Sequence, residues 1–433
     1  MKRDFLLVVG ILLSTGSQLR PAGVPVGPGE ICFIIWIALM LGREVARQGP
    51  PLTAALSRLL IFWLLFATAQ SIGTLTGYAI ADVHDTSLFI HDAIAYPLLA
   101  IISLLSVAGS DSPARLHRVA WFLVTLGSAF LALQVFQRWG VVSIASIDPW
   151  FWDRFRGLSE NPNQLAILCA VLGLLCLHLA DVAANAPARI VAVGAAVLPI
   201  YVGRLTKSDT FGLVLVVAGP IFVALKVRSW LWSHSARPTA RSAFAWIAIL
   251  ALPLALVSAA PFGYSLKTGA EALALDMAKG SEEDTENTAQ LRLENWRLAF
   301  DRGVESAMLG LGPGPHLPIP RSILAGRDDP TGEPKYLAHP QDNGTPNFEA
   351  HNTLLDIFTQ GGLLAVLALA WLVGAAFLLT CRARLDGLTT LLCGLILFTI
   401  FHLIVRHPAF WLAISMCLVA PESRKVSLIP ARS

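Results

Sequence analysis

Apolar residues along this chain fall in long runs separated by short polar breaks. About twelve runs can be drawn, at roughly 5–19, 28–42, 54–74, 88–109, 117–137, 164–182, 188–206, 208–226, 243–264, 353–380, 388–405 and 408–421. Most approach the roughly 17–25 residues a helix needs to cross a bilayer. A helix satisfies its own backbone hydrogen bonds, as hydrocarbon demands, so the pattern predicts an all-α polytopic membrane protein of about 12 transmembrane helices. Met1 to Leu19 carries Lys2 and Arg3 ahead of an apolar run and no evident small-residue cleavage site, which reads as a first span rather than a signal peptide.

One long stretch breaks the pattern. Residues 265–352 are polar and lie between the ninth and tenth runs. A loop of this length is functional or a disordered linker. The chain therefore divides into N-terminal transmembrane helices (1–150), central transmembrane helices (151–264), the large loop (265–352), and C-terminal transmembrane helices with a short basic tail (353–433).

Composition agrees. The 433 residues are 55% hydrophobic and 14% charged, with mean hydropathy +0.63, whereas soluble domains carry about 25% charged residues. A net charge of +3 is too small to imply a nucleic-acid partner. The six cysteines lie in or beside apolar segments, without metal or disulfide spacing, and read as packing residues. With the N-terminus inside, the cytoplasmic side carries 17 Lys and Arg and the short outer connectors carry 7. This bias turns the large loop outward and both termini inward; in a bacterium the outward side is the periplasm. The periplasm has no ATP, so a reaction there draws on an activated bond delivered by the membrane. The chain has no Walker A loop, no His-Glu-x-x-His, no Gly-x-Ser-x-Gly elbow and no tandem repeat of 20–50 residues.

Four polar clusters have outward addresses. The first is Arg154 to Asn163, preceded by Trp150-Phe151-Trp152 and holding Arg154 and Arg156 against the charge trend. It reads either as a solvated interfacial loop or as an anion site. The second is the turn Arg204 to Thr210, with Arg204, Lys207 and Asp209 at its tip, where a local Lys207–Asp209 pair is an alternative to function. In the third, Glu286 to Gly303, helical spacing puts Leu293, Trp296 and Phe300 on one face with Arg292 beside it. Such a helix either lies on the membrane with its guanidinium at phosphate depth or is an ordinary surface helix. The Gly310–Pro315 run that follows is explained by turn chemistry alone. The fourth is Glu349-Ala350-His351-Asn352 at the start of an apolar run. There the helix dipole favours an anion and an imidazole can move a proton near neutral pH, although a cap or an interfacial residue also fits.

These residues together resemble the O-antigen ligase and polymerase family, whose members act on lipid-linked glycans at the outer face of the inner membrane. Arg154-x-x-Gly157 with Asn161-Pro162-Asn163, Arg292-x-x-x-Trp296 before the Gly-Leu-Gly turn, and His351-Asn352 with Gly362 spaced after it are similar to the family's motifs. Two positions depart. The hairpin reads Ser208-Asp209-Thr210 where the family usually has Ser-Arg-Gly, and Ala365 stands where the ligase form has another residue. The Asp209 departure leans the reading toward a polymerase over a ligase.

The resemblance implies a metal-independent glycosyltransferase without cofactor. Its donor would be a glycan on undecaprenyl diphosphate, its acceptor a growing glycan or lipid A core, and membrane lipids its surroundings. His351 and Arg292 would be catalytic, with Arg154, Arg156, Asn163, Arg204, Lys207 and Asn352 binding substrate. A rival reading is a solute or lipid transporter using His91-Asp92 as a proton site. Against it stand the absence of internal symmetry and the scarcity of polar residues at mid-span. A non-catalytic scaffold would tolerate alanine at His351 and Arg292.

Overall fold

A computed structural model describes residues 2–20, 26–47, 49, 51–80, 86–142, 147–233, 282–318 and 348–427. The architecture is helical. In chain order it comprises α1 (Lys2–Thr15), α2 (Pro28–Ala46), α3 (Ala54–Ile80), α4 (Thr86–Val107), α5 (Ser112–Arg138), β1 (Trp150–Phe151), β2 (Arg154–Phe155), α6 (Pro162–Val182), α7 (Ala186–Ala195), α8 (Val197–Leu205) and α9 (Asp209–Ser233). After these come α10 (Glu282–Glu305), α11 (Thr353–Arg382), α12 (Asp386–Phe401) and α13 (Pro408–Ser427).

Among the described residues, seven helices are long and apolar enough to cross a membrane: Ala54–Ile80, Phe89–Val107, Ser112–Arg138, Pro162–Val182, Ala186–Leu205, Asp209–Ser229 and Thr353–Arg382. Asp386–Phe401 and Pro408–Pro421 are shorter apolar helices. The expected ninth span, 243–264, and the loop segments 265–281 and 319–347 lie outside the described residues, so the count of twelve remains an expectation.

Local chemistry sets the helix ends. Asn161, Asn185 and Asn352 are N-caps whose side chains accept from Asn163 N, Ala188 N, and Leu354 N with Leu355 N. Pro162 and Pro187 sit in the first helical turn, where a missing N–H costs nothing. The predicted seventh span is two helices broken at Ala196, because Pro199 cannot donate to the carbonyl of Ala195. At the end of α4, buried Arg115 donates to the carbonyls of Leu105, Ser106 and Ala108 at 3.0, 2.8 and 2.8 Å.

Helix α6 forms the centre, packed against α5, α7, α8, α9, α12 and α13, and is apolar on all sides because all sides are covered. Helix α11 lies against α3, α10, α12 and α13. It is interrupted at Gly362, whose backbone (φ 62°, ψ −162°) no helix contains. The freed groups are taken up by the segment after α10. Leu311 N donates to Thr359 O and Gly312 N to Gln360 O, both at 2.8 Å, while Leu363 N donates to Met308 O at 2.9 Å. A Cβ on Gly362 would sit 2.1 Å from Met308 O, which explains the glycine. The Gly310–Pro315 run thus does more than turn: its first half replaces helix hydrogen bonds and lies against Gly73 and Gly77 of α3.

Candidate active site

The site is assembled at one end of the bundle from four pieces. The first wall is the β1–β2 hairpin, in which Trp150 faces Phe155 and Phe151 faces Arg154. The segment read either as an interfacial loop or as an anion site thus begins as a short ordered ribbon. Gly157 follows it at φ 57°, and a Cβ there would collide with Gln134 Oε1, the atom that accepts Leu158 N at 3.2 Å. This contact explains the Arg-x-x-Gly spacing, since the ribbon turns back onto α5 at that glycine. Arg154 reaches the α8–α9 turn through Nε to Thr206 O at 3.1 Å, and holds Asn163 Oδ1 at 3.0 Å.

The second piece is the turn itself. Lys207, at φ 49°, pairs with Asp153 at 2.5 Å rather than with its neighbour Asp209. Thr210 Oγ1 lies 3.3 Å from His402 Nε2. Arg204 and Asp209 are exposed at the rim.

The third piece is α10. Its buried face of Asn295, Ala299 and Gly303 packs toward α11, with Gly303 against the Phe358 ring. The apolar face expected from spacing is split. Leu293 and Phe300 stay exposed, whereas Trp296 turns inward and donates Nε1–H to Ala350 O at 3.1 Å. Arg292 lies one turn before Trp296 on the same edge. The indole that ties α10 to the residue before His351 therefore brings Arg292 to the same place. Among the described residues Arg292 has no hydrogen-bond or ion-pair partner, which leaves its donors for a ligand.

The fourth piece is the His351 turn and the α12–α13 connection beside it. His351 is exposed to solvent yet surrounded by protein, as a group on the floor of a crevice is. Its ring meets Phe348 edge-on at 5.3 Å. Burial lowers its pKa below 6.5, Glu349 opposes the shift, and Arg292 and Arg406 add to it, so the imidazole is held neutral. Arg406 ion-pairs with Glu349 and with Asp92, both at 2.6 Å. Burial works against the Arg406 charge, but the two carboxylates outweigh it and raise its pKa. Asp92, read from the sequence as half of a transporter's proton site with His91, lies 3.0 Å from His91 Nδ1 and also anchors the connection that carries Arg406.

The expected site residues divide accordingly. Arg292, Arg154, His351 and His402 lie close enough to feel one another's charge: Arg292 bears on Arg154, and both Arg292 and His351 bear on His402. Arg156 is spent within its own loop, on Asp148 O, Glu160 O and the Asp148 carboxylate. Asn163 is bonded to Arg154, and Asn352 is the cap of α11. Sequence reasoning missed His402 and Arg406. His402 lay inside an apolar run but is the residue at which α12 stops, in extended conformation, and a polar residue near the end of such a run was the available signal.

The fold and this crevice define a class: a helical membrane protein with cations and a neutral imidazole gathered at one end of its bundle. Residues 194–370 match a family model described as O-antigen ligase. The match spans the α8–α9 turn, Arg292, His351 and Gly362, and supports ligase- or polymerase-type work in surface polysaccharide synthesis. No curated protein matches the chain.

Proposed function

We propose that the protein transfers a glycan from an undecaprenyl-diphosphate carrier at the periplasmic face of a bacterial inner membrane. The observation that carries this reading is the Trp296–Ala350 hydrogen bond, which brings Arg292, without a partner among the described residues, toward His351. In the reaction, the acceptor hydroxyl oxygen forms the new glycosidic bond while the bond from the anomeric carbon to the diphosphate breaks. Neutral His351 takes the hydroxyl proton, a role worth roughly 10²–10⁴-fold elsewhere. Arg292 faces the diphosphate as negative charge gathers on it, with Arg154 behind; removing one preorganised donor costs about 3–4 kcal/mol in comparable sites. Arg204, exposed on the neighbouring turn, adds positive charge where it guides the anionic donor, whereas the Lys207 charge is paired with Asp153. Exposed Leu293 and Phe300 on α10 suit a helix resting on the lipid surface above the crevice.

Polymerase and ligase differ in acceptor. Asp209 in place of the family's usual arginine favours polymerisation of a polysaccharide over attachment to lipid A core. The test is purified protein in liposomes with an undecaprenyl-diphosphate-linked repeat unit, with and without lipid A core. A ladder without the core is the expected result. A single product that needs the core would make the protein a ligase, and no product under either condition would overturn glycosyl transfer.

A further inference from the structure

We propose that Asp356 is a positioning residue for His351, an inference that rests on the glycosyl-transfer reading above. His351 occupies the left-handed region at φ 52°, a conformation uncommon for a residue with a Cβ and one that local hydrogen bonds can hold. The constraint is visible. Asp356, one turn into α11 and buried, accepts Ala350 N on Oδ1 at 2.7 Å and Asn352 N on Oδ2 at 3.1 Å. Those are the two amides that flank His351. The carboxylate clips the turn at both shoulders, on either side of His351.

The surrounding bonds fix the clip itself. Asp356 N donates to Asn352 O at 2.8 Å, so the acid is held in the first turn by ordinary helix geometry. Thr353 Oγ1 donates to His402 O at 2.5 Å and accepts Ile404 N at 3.0 Å, which stitches the same turn to the α12–α13 connection. Ala350, whose amide Asp356 holds, offers its carbonyl to Trp296 on α10. The distance from the Arg292 helix to the imidazole therefore passes through the residue that Asp356 fixes. An amide side chain cannot replace it, because Asn would present its NH₂ to one of the two N–H groups. Glu keeps both acceptor oxygens.

The test uses the purified full chain with an undecaprenyl-diphosphate-linked glycan as donor, comparing wild type, D356N and D356E. D356N is expected to lower kcat by about 10²-fold, the scale of a misplacement near 1 Å. The KM for the donor and the melting temperature should stay near wild type, and D356E should recover part of kcat. In parallel, carbethoxylation of His351 by diethyl pyrocarbonate is followed by peptide mass spectrometry. It should run faster in D356N, where the turn is released. Wild-type kcat in D356N overturns the proposal, as does a joint loss of kcat, donor KM and thermal stability in both variants, which marks a general structural role. If the wild type itself transfers nothing, the functional reading fails. The carbethoxylation then decides alone: a changed His351 rate upholds the positioning and an unchanged rate overturns it.

Discussion

Gly362→Ala isolates the break in α11. Gly362 sits at φ 62° and ψ −162°, and an added Cβ would lie 2.1 Å from Met308 O and 2.6 Å from Leu309 C. Both are backbone atoms, so no side-chain rotation relieves the overlap. Holding a non-glycine residue in such a region costs about 1–3 kcal/mol. Pushing the 308–312 segment away also weakens three backbone hydrogen bonds, at about 1 kcal/mol each. The sum, about 4–6 kcal/mol, should lower the apparent melting temperature in detergent by about 5–15 °C at a fixed scan rate. Gly374→Ala is the control, because the same helix offers nothing within 4 Å of its added Cβ. There alanine should be neutral or stabilise by about 0.5–1 kcal/mol. A Gly362→Ala protein that melts with the wild type would refute the argument that the glycine exists for this contact.

Two further outcomes follow from the site. His351 must be neutral to accept a proton, and burial first, then Arg292 and Arg406, lowers its pKa while Glu349 raises it. The rate should therefore hold as pH falls to about 6.5 and decline only below it. E349Q should move the decline lower still, because it removes the anion that stabilises imidazolium. A pH profile of kcat checks both, and a decline centred above 6.5 would contradict the assignment. W296F keeps the aromatic ring but loses the bond to Ala350 O, worth about 1 kcal/mol. It should slow transfer about five- to tenfold with little change in melting temperature, read as kcat against thermal stability.

The membrane helices were legible because burial in lipid leaves a run-length signal that needs no partner. Asn161-Pro162 and Asn352 marked true helix starts for the same local reason. The break at Gly362 was not legible. The hydrogen bonds that compensate the break come from residues some fifty positions earlier. Spacing put Trp296 on one face with Leu293 and Phe300, yet the partner that draws it inward, Ala350, is distant in sequence. His402, Arg406 and Asp356 each sat within or beside an apolar run. What each does depends on which chain segment lies opposite, and periodicity carries no information about that. Arg156 shows the converse: its sequence context pointed to an anion, but its own loop satisfies it.

Under the proposed function, Arg292 and His351 act as one site on one diphosphate-linked glycan. The most direct test of this claim is the single-turnover transfer rate of R292A, H351A and the double variant, with undecaprenyl-diphosphate-linked glycan as donor. Each single change should slow transfer by about 10²-fold or more, and the double variant should fall well short of the product of the two losses. Wild-type rates in either single variant, at normal protein levels and with unchanged melting, would contradict the claim.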